Sequence, residues 1–214
     1  MLDLEVVTAP TAPATDIVSS AELGRHMGLS ASLAANAQWA NILTDAITDA
    51  VDKLDGIGGE LNRTLMPRTY QRFITKFPGK DECGNPKPIL LPYPPLIRVD
   101  AITIEDGSSP ENVIDPADYV VKSGMLIPEI HPIAAWPSIT AGPRAASITY
   151  TAGYSEYPGK LRRMIKFLAA HYCENREATV MEMNKTLIDR KVLFALDDLR
   201  AALRISPSYD DWNE

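Results

Sequence analysis

The sequence predicts an α+β fold: a helical bundle body with an inserted antiparallel β region. Three observations carry this. Apolar residues recur at three- and four-residue steps before residue 60 and again after residue 158, the period of an amphipathic helix. Between residues 69 and 154 the apolar runs become short and β-branched, and proline and glycine punctuation is dense. The 214 residues are 45% apolar and 23% charged, enough to build a core without disulfides or structural metals.

Residues 1–18 read as an extended N-terminal arm with a short strand at 4–7, because Pro10, Pro13 and the small polar residues around them show no sustained period. Residues 1–20 lack the basic and compact apolar regions of a secretory signal. The N-terminal helices occupy 19–65. Ser19 with Glu22 three residues later forms a capping box, which starts a short helix over 20–27. Ser30 and Ser32 offer caps for a long second helix. Along it Leu33, Ala37, Ala40, Leu43, Ile47, Val51 and Leu54 make one stripe, and Gly56, Gly58 and Gly59 end it.

The inserted β region covers 66–155. Strands are expected at 69–77, 89–91, 97–104, 119–122, 125–128 and 146–151, with Ser123-Gly124 as a two-residue hairpin turn between the fourth and fifth. The C-terminal helices of the body follow over 156–204. Pro158 opens a helix whose apolar face is Leu161, Met164, Ile165, Leu168 and Tyr172. After a break near 176–179, a last helix over about 185–204 carries Ile188, Val192, Ala195, Leu196, Leu199 and Leu203 at helical period. Pro207 stops it and leaves 205–214 as an acidic C-terminal tail.

The net charge of −7 is unevenly placed. Residues 1–60 hold nine acids against two bases, Arg25 and Lys53, while the remaining residues are balanced. Tight, sequence-independent nucleic-acid binding needs several phosphate-neutralising bases, so DNA is not expected as a bound ligand. The longest apolar runs are far short of a membrane span. Cys83 and Cys173 stand 90 positions apart without C-x-x-C spacing, the pattern of free thiols in a reducing compartment.

Catalytic signatures are sparse. His26, His131 and His171 have no H-E-x-x-H or similar partner, and the Gly56-x-Gly58-Gly59 cluster follows a helix and lacks the lysine of a phosphate loop. No G-x-S-x-G is present. Asp45, Asp49 and Asp52 share one helix face, which without further ligands reads as a solvated surface. Cys173 with His171 is the one nucleophile pair to weigh, for a thiol-dependent enzyme, yet two positions apart on a helix they point to different sides. No catalytic residue, cofactor or metal is therefore assigned.

Two features favour protein contact instead. Lys160, Arg162, Arg163 and Lys166 decorate one helix with no acid until Glu174, a surface suited to an acidic partner such as the acidic first third of a neighbouring copy. Tyr209 and Trp212 lie among the acids of the tail, where large aromatics serve as anchors on another protein or fold back on their own domain.

The run Ala146-Ser-Ile-Thr-Tyr-Thr-Ala-Gly-Tyr154, then Pro158, then a helix closing on Tyr172-Cys-Glu-Asn-Arg-Glu177, resembles the head–tail connector (adaptor) proteins of long-tailed phages and gene transfer agents. The long helix ending near 59–65, the Leu91-Pro-Tyr-Pro-Pro-Leu-Ile97 segment and the Tyr119-Val-Val strand agree in order, so the resemblance spans about 35–178. It implies a non-enzymatic structural protein of the virion neck, made in the host cytoplasm. Such proteins form a ring, generally of twelve copies, beneath the portal protein. The ring extends the DNA channel, lets DNA pass without specific binding, and docks the stopper or tail-completion protein. It also implies that residues 184–214 meet the portal. Another neck or tail-completion ring is the nearest alternative. A ring of chains each at −7 would repel DNA phosphates, as a passage for sliding DNA requires.

Overall fold

Capping chemistry places the helices. In this computed structural model, which describes residues 3–105, 112–124, 126–175 and 196–205, the Glu22 N–H donates to the Ser19 hydroxyl at 3.3 Å. The Glu22 carboxylate in turn accepts from the Ser19 N–H at 3.2 Å. This reciprocal box starts α1 (Ser20–His26). The single long helix expected next is divided in two. Ser30 caps α2 (Ala31–Ala34), and the Asn36 side chain accepts the Gln38 N–H at 3.0 Å to start α3 (Ala37–Leu54). A side chain that takes up a backbone donor competes with helix continuation, so the break falls there. Leu33 consequently sits on α2, 40% exposed. After Leu54 the chain leaves the helix through extended Asp55 and Gly56 at φ +66°.

The chain divides into two units, each discontinuous in sequence. Of the described residues, 11–61, 156–175 and 196–204 make the helical unit. Its core joins Leu43, Ala46, Ile47, Ala50, Val51 and Leu54 of α3 to Leu161, Met164, Ile165, Leu168, Ala169 and Cys173 of α4 (Gly159–Glu174), with Leu23 of α1 also buried. α1 packs on both helices. Residues 196–203 are helical (α5), with Leu196 and Leu203 buried. The first half of the last expected helix, including Ile188, Val192 and Ala195, lies outside the described residues.

The β unit holds residues 3–10, 62–105, 112–124, 126–155 and 205. β1 (Asp3–Thr8), β2 (Arg68–Ile74), β4 (Leu96–Ile104), β5 (Asn112–Val113) and β8 (Ala146–Ala152) form an antiparallel sheet in the order β1-β2-β8-β4-β5. β3 (Ile89–Leu90), β6 (Tyr119–Lys122) and β7 (Glu129–Pro132) form a second sheet in the order β3-β7-β6. Tyr70 of β2 faces Tyr150 of β8 across the first sheet, and Ile102 of β4 faces Ile148. With Ile89, Leu91, Tyr119 and Ile130 they make one apolar core.

Two expectations change here. The strand expected at 4–7 forms within β1, but residues 3–18 are not a free arm: β1 pairs with β2 from Asp3↔Phe73 onward, and Ile17 and Val18 are buried in the helical unit. The strand expected at 125–128 lies instead at Glu129–Pro132, and Lys122↔Glu129 pairing leaves 123–128 as the connection rather than a two-residue turn. Alternation explains the shift, since Ile130 and Pro132 face inward opposite Val121 and Tyr119. Pro132 is tolerated because β3 pairs only as far as Ile130, so no neighbour on that side asks for its missing N–H.

Candidate functional site

Two of the segments that carry the family resemblance, residues 91–97 and 146–154, lie in the β unit, where they hold backbone. In the Leu91–Leu96 stretch all three proline carbonyls accept a hydrogen bond from the molecule. The Tyr150 hydroxyl donates to the Pro92 carbonyl at 2.9 Å, the Thr64 N–H to that of Pro94 at 3.1 Å, and the Gly153 N–H to that of Pro95 at 2.8 Å. The Tyr154 N–H donates to the Leu65 carbonyl at 3.1 Å. Gly153 is required: its φ is +138°, and a Cβ there would lie 2.6 Å from the Pro67 Cα. The Tyr70 hydroxyl shares a 2.9 Å hydrogen bond with Thr64, so both core tyrosines have their polar ends satisfied.

Of the four basic residues singled out in the sequence, the structure turns one inward. Arg162 is bound within the helical unit, its guanidinium pairing with the Glu22 carboxylate and donating to the Ile17 carbonyl at 3.1 Å. Lys160 and Arg163 are exposed on α4, and the Arg163 guanidinium lies 5.3 Å from the Phe167 ring centroid. Lys166 is partly buried. Burial pushes the Glu22 carboxyl up, but hydrogen bonds from the Ser19 N–H and Arg162, with the charges of Arg162 and Lys166, outweigh it and leave the carboxyl lowered. Burial, then the charges of Lys166 and Arg163, hold the His26 imidazole below its ordinary value. Tyr209 and Trp212 lie outside the described residues.

Asp45, Asp49 and Asp52 are all exposed, on the side of α3 opposite its buried stripe. Among the described residues none of the three is in an ion pair and no cluster of His, Cys, Asp or Glu is arranged to hold a metal. Cys173 is buried in the helical core while His171 is exposed, its Nδ1 3.0 Å from the Asn175 side-chain amide. The two are not brought together as a nucleophile and its base. Cys83 is an exposed free thiol in a turn organised by Asp81, whose carboxylate accepts from the N–H groups of Cys83 and Asn85. No described helix is long and apolar enough to cross a membrane.

Sequence reasoning missed one surface. Val120, Leu126 and Ile133 are 50%, 65% and 64% exposed, around the hairpin of β6 and β7. The available signal was the Val120-Val121 pair: in a strand only one of two adjacent residues can face the core, so the other must point out.

No family model matches the sequence, and no curated protein matches it. Solved structures do match its fold. A chain of the virion of a native gene transfer agent particle superposes with a TM-score of 0.66 at 22% identity, covering 96% of each chain. A chain from the neck of an empty particle of this kind, computed with C6 symmetry, gives 0.65 at 24% identity, over 97% of this chain and 98% of that one. A chain from the neck of a native particle, computed with C12 symmetry, gives 0.62 at 24% identity over 96% and 97%. The fold of this chain is thus one found, end to end, in gene transfer agent particles.

Proposed function

We propose that this chain is a structural protein of the neck of a tailed-phage-like or gene transfer agent particle, a head–tail connector that forms a ring under the portal. The observation that carries the reading is coverage: the likeness to a neck chain takes in 97% of this chain and 98% of the other. The C12 and C6 symmetries with which those necks were computed support a self-assembled ring, and in this reading DNA passes through its lumen. The acidic bias of the chain suits that passage, because like charge keeps sliding phosphates from sticking.

In this reading residues 184–214, with Tyr209 and Trp212 as anchors, meet the portal, and the opposite side of the ring receives the stopper or tail-completion protein. The arrangement needs no cofactor. The test is genetic and visual. Producing cells lacking this chain should yield heads without attached tails in negative-stain micrographs, and supplying the chain in trans should restore joined particles. Normal numbers of tailed particles in its absence would overturn the proposal.

A further inference from the structure

Two charged ridges of the helical unit form no ion pair among the described residues, although the Lys166 charge acts on the Glu22 carboxyl. On α3, Asp45, Asp49 and Asp52 project away from the core, and on α4, Lys160, Arg163 and Lys166 follow one another at three-residue steps. At 1.5 Å rise per residue both ridges are about 10 Å long. Several other surface charges find mates, Arg144 with Asp3 and Glu5, Arg98 with Asp100, Lys53 and Arg200 with Glu60, and Arg162 with Glu22. Among the described residues neither ridge has an ion-pair partner.

Each ridge also sits against its own helix's electrostatics. The α4 cations begin in its first turn, where the helix dipole favours anions, and that turn holds no acid of its own. The α3 anions run toward its C-terminal turn, where cations are favoured, and Asp45 and Asp49 repel at i,i+4 spacing. Such a placement is unfavourable in an isolated chain and becomes favourable when the opposite charge arrives from outside.

The two ridges lie at the same end of the helix pair. Ser20 of α1 shares a 3.0 Å hydrogen bond with Thr44 of α3, and two residues on Glu22 pairs with Arg162 of α4, so one short helix meets both the middle of α3 and the first turn of α4. The C-terminal half of α3 and the N-terminal half of α4 are therefore level.

We infer that the α3 ridge of one copy docks on the α4 ridge of the next copy, a head-to-tail contact that closes the ring. This rests on the connector reading above and adds the surface that makes the ring. A ring needs two different, complementary patches on each subunit. With the ring axis along the helix pair, level ridges let a rotation alone bring acid onto base, without the axial step that would generate a spiral. Exposed pairs of this kind set register and encounter rate more than affinity, so the contact is salt-sensitive.

A charge exchange tests it in producing cells. Asp49→Lys with Asp52→Lys, or Arg163→Glu with Lys166→Glu, should each lower the copies incorporated per particle by about tenfold. The four substitutions in one chain should restore incorporation, and so should co-expression of the two double variants, which can alternate around a ring. Melting temperatures of the purified variants within a few degrees of wild type show that folding is not the cause. In a Cys83→Ser background, Asp49→Cys with Arg163→Cys should cross-link into a ladder extending beyond dimers. Wild-type incorporation by the double variants, failure of the exchange to rescue, or a ladder that stops at two would each overturn the inference while leaving the connector reading intact. Absence of wild-type chain from particles would overturn the connector reading itself.

Discussion

Glu22 and Arg162 lie 140 residues apart, and their ion pair turns an apparently free surface cation into a tie between α1 and α4. The pair is partly exposed, so Arg162→Ala should cost about 1 kcal/mol in urea unfolding at neutral pH. The Glu22 carboxyl is held below its ordinary value of 4.5, so its contribution is complete above that pH and is lost as pH falls through the lower folded value. The gap between wild type and Arg162→Ala should therefore narrow as pH falls below 4.5 and the Glu22 carboxylate is protonated. An undiminished gap there would contradict the assignment. Half of this site was legible in advance: Ser19 and Glu22 announce a capping box locally, whereas nothing local in the sequence reports a partner so distant along the chain.

Gly153 makes the same point for the segment that carries the family resemblance. Its φ of +138° and the 2.6 Å approach of Pro67 leave no room for a side chain. Gly153→Ala should destabilise by about 2–4 kcal/mol, read as a lowered denaturation midpoint. Cys173 is buried among apolar residues of α4 and separated in role from exposed His171. Cys173→Ser should accordingly leave particles that still transfer DNA, whereas loss of transfer with normal particle assembly would restore the thiol-enzyme reading.

At the scale of elements, period and punctuation located most of the architecture. The stripes of α3 and α4 were readable because each buried residue recurs on one face. The break at Asn36 was not, because the apolar spacing from Leu33 to Ala40 continues across it and only the side-chain cap decides. Asn36→Ala should cost about 1 kcal/mol by thermal melt, and an unchanged melt would show that the cap does not define the start of α3. β5 escaped notice because two residues give no period. β7 was placed four residues early because Ser123-Gly124 looks like a complete turn, while burial of Ile130 and Pro132 fixes the strand farther on. At the C-terminus, Leu203 and Ile205 are buried and the Asn62 amide donates to the Ile205 carbonyl at 2.9 Å. A chain ending after Ile205 should therefore melt like wild type yet fail to join heads to tails. Full joining by that truncation would remove Tyr209 and Trp212 from the portal contact.

At the scale of the molecule, each unit is assembled from pieces far apart in sequence. The change in punctuation near residue 66 announces the β unit, but pairing such as Asp3↔Phe73 is invisible to local patterns and becomes apparent only in the fold. The charge segregation was legible from composition; that Asp45, Asp49, Asp52, Lys160 and Arg163 are exposed while Lys166 is partly buried required the structure. The central claim is that this chain is a counted part of the neck, and quantitative mass spectrometry of purified particles tests it most directly by measuring this chain against the portal protein. The connector account predicts a ratio near one to one. Particles that mature and join their tails without this chain would contradict it.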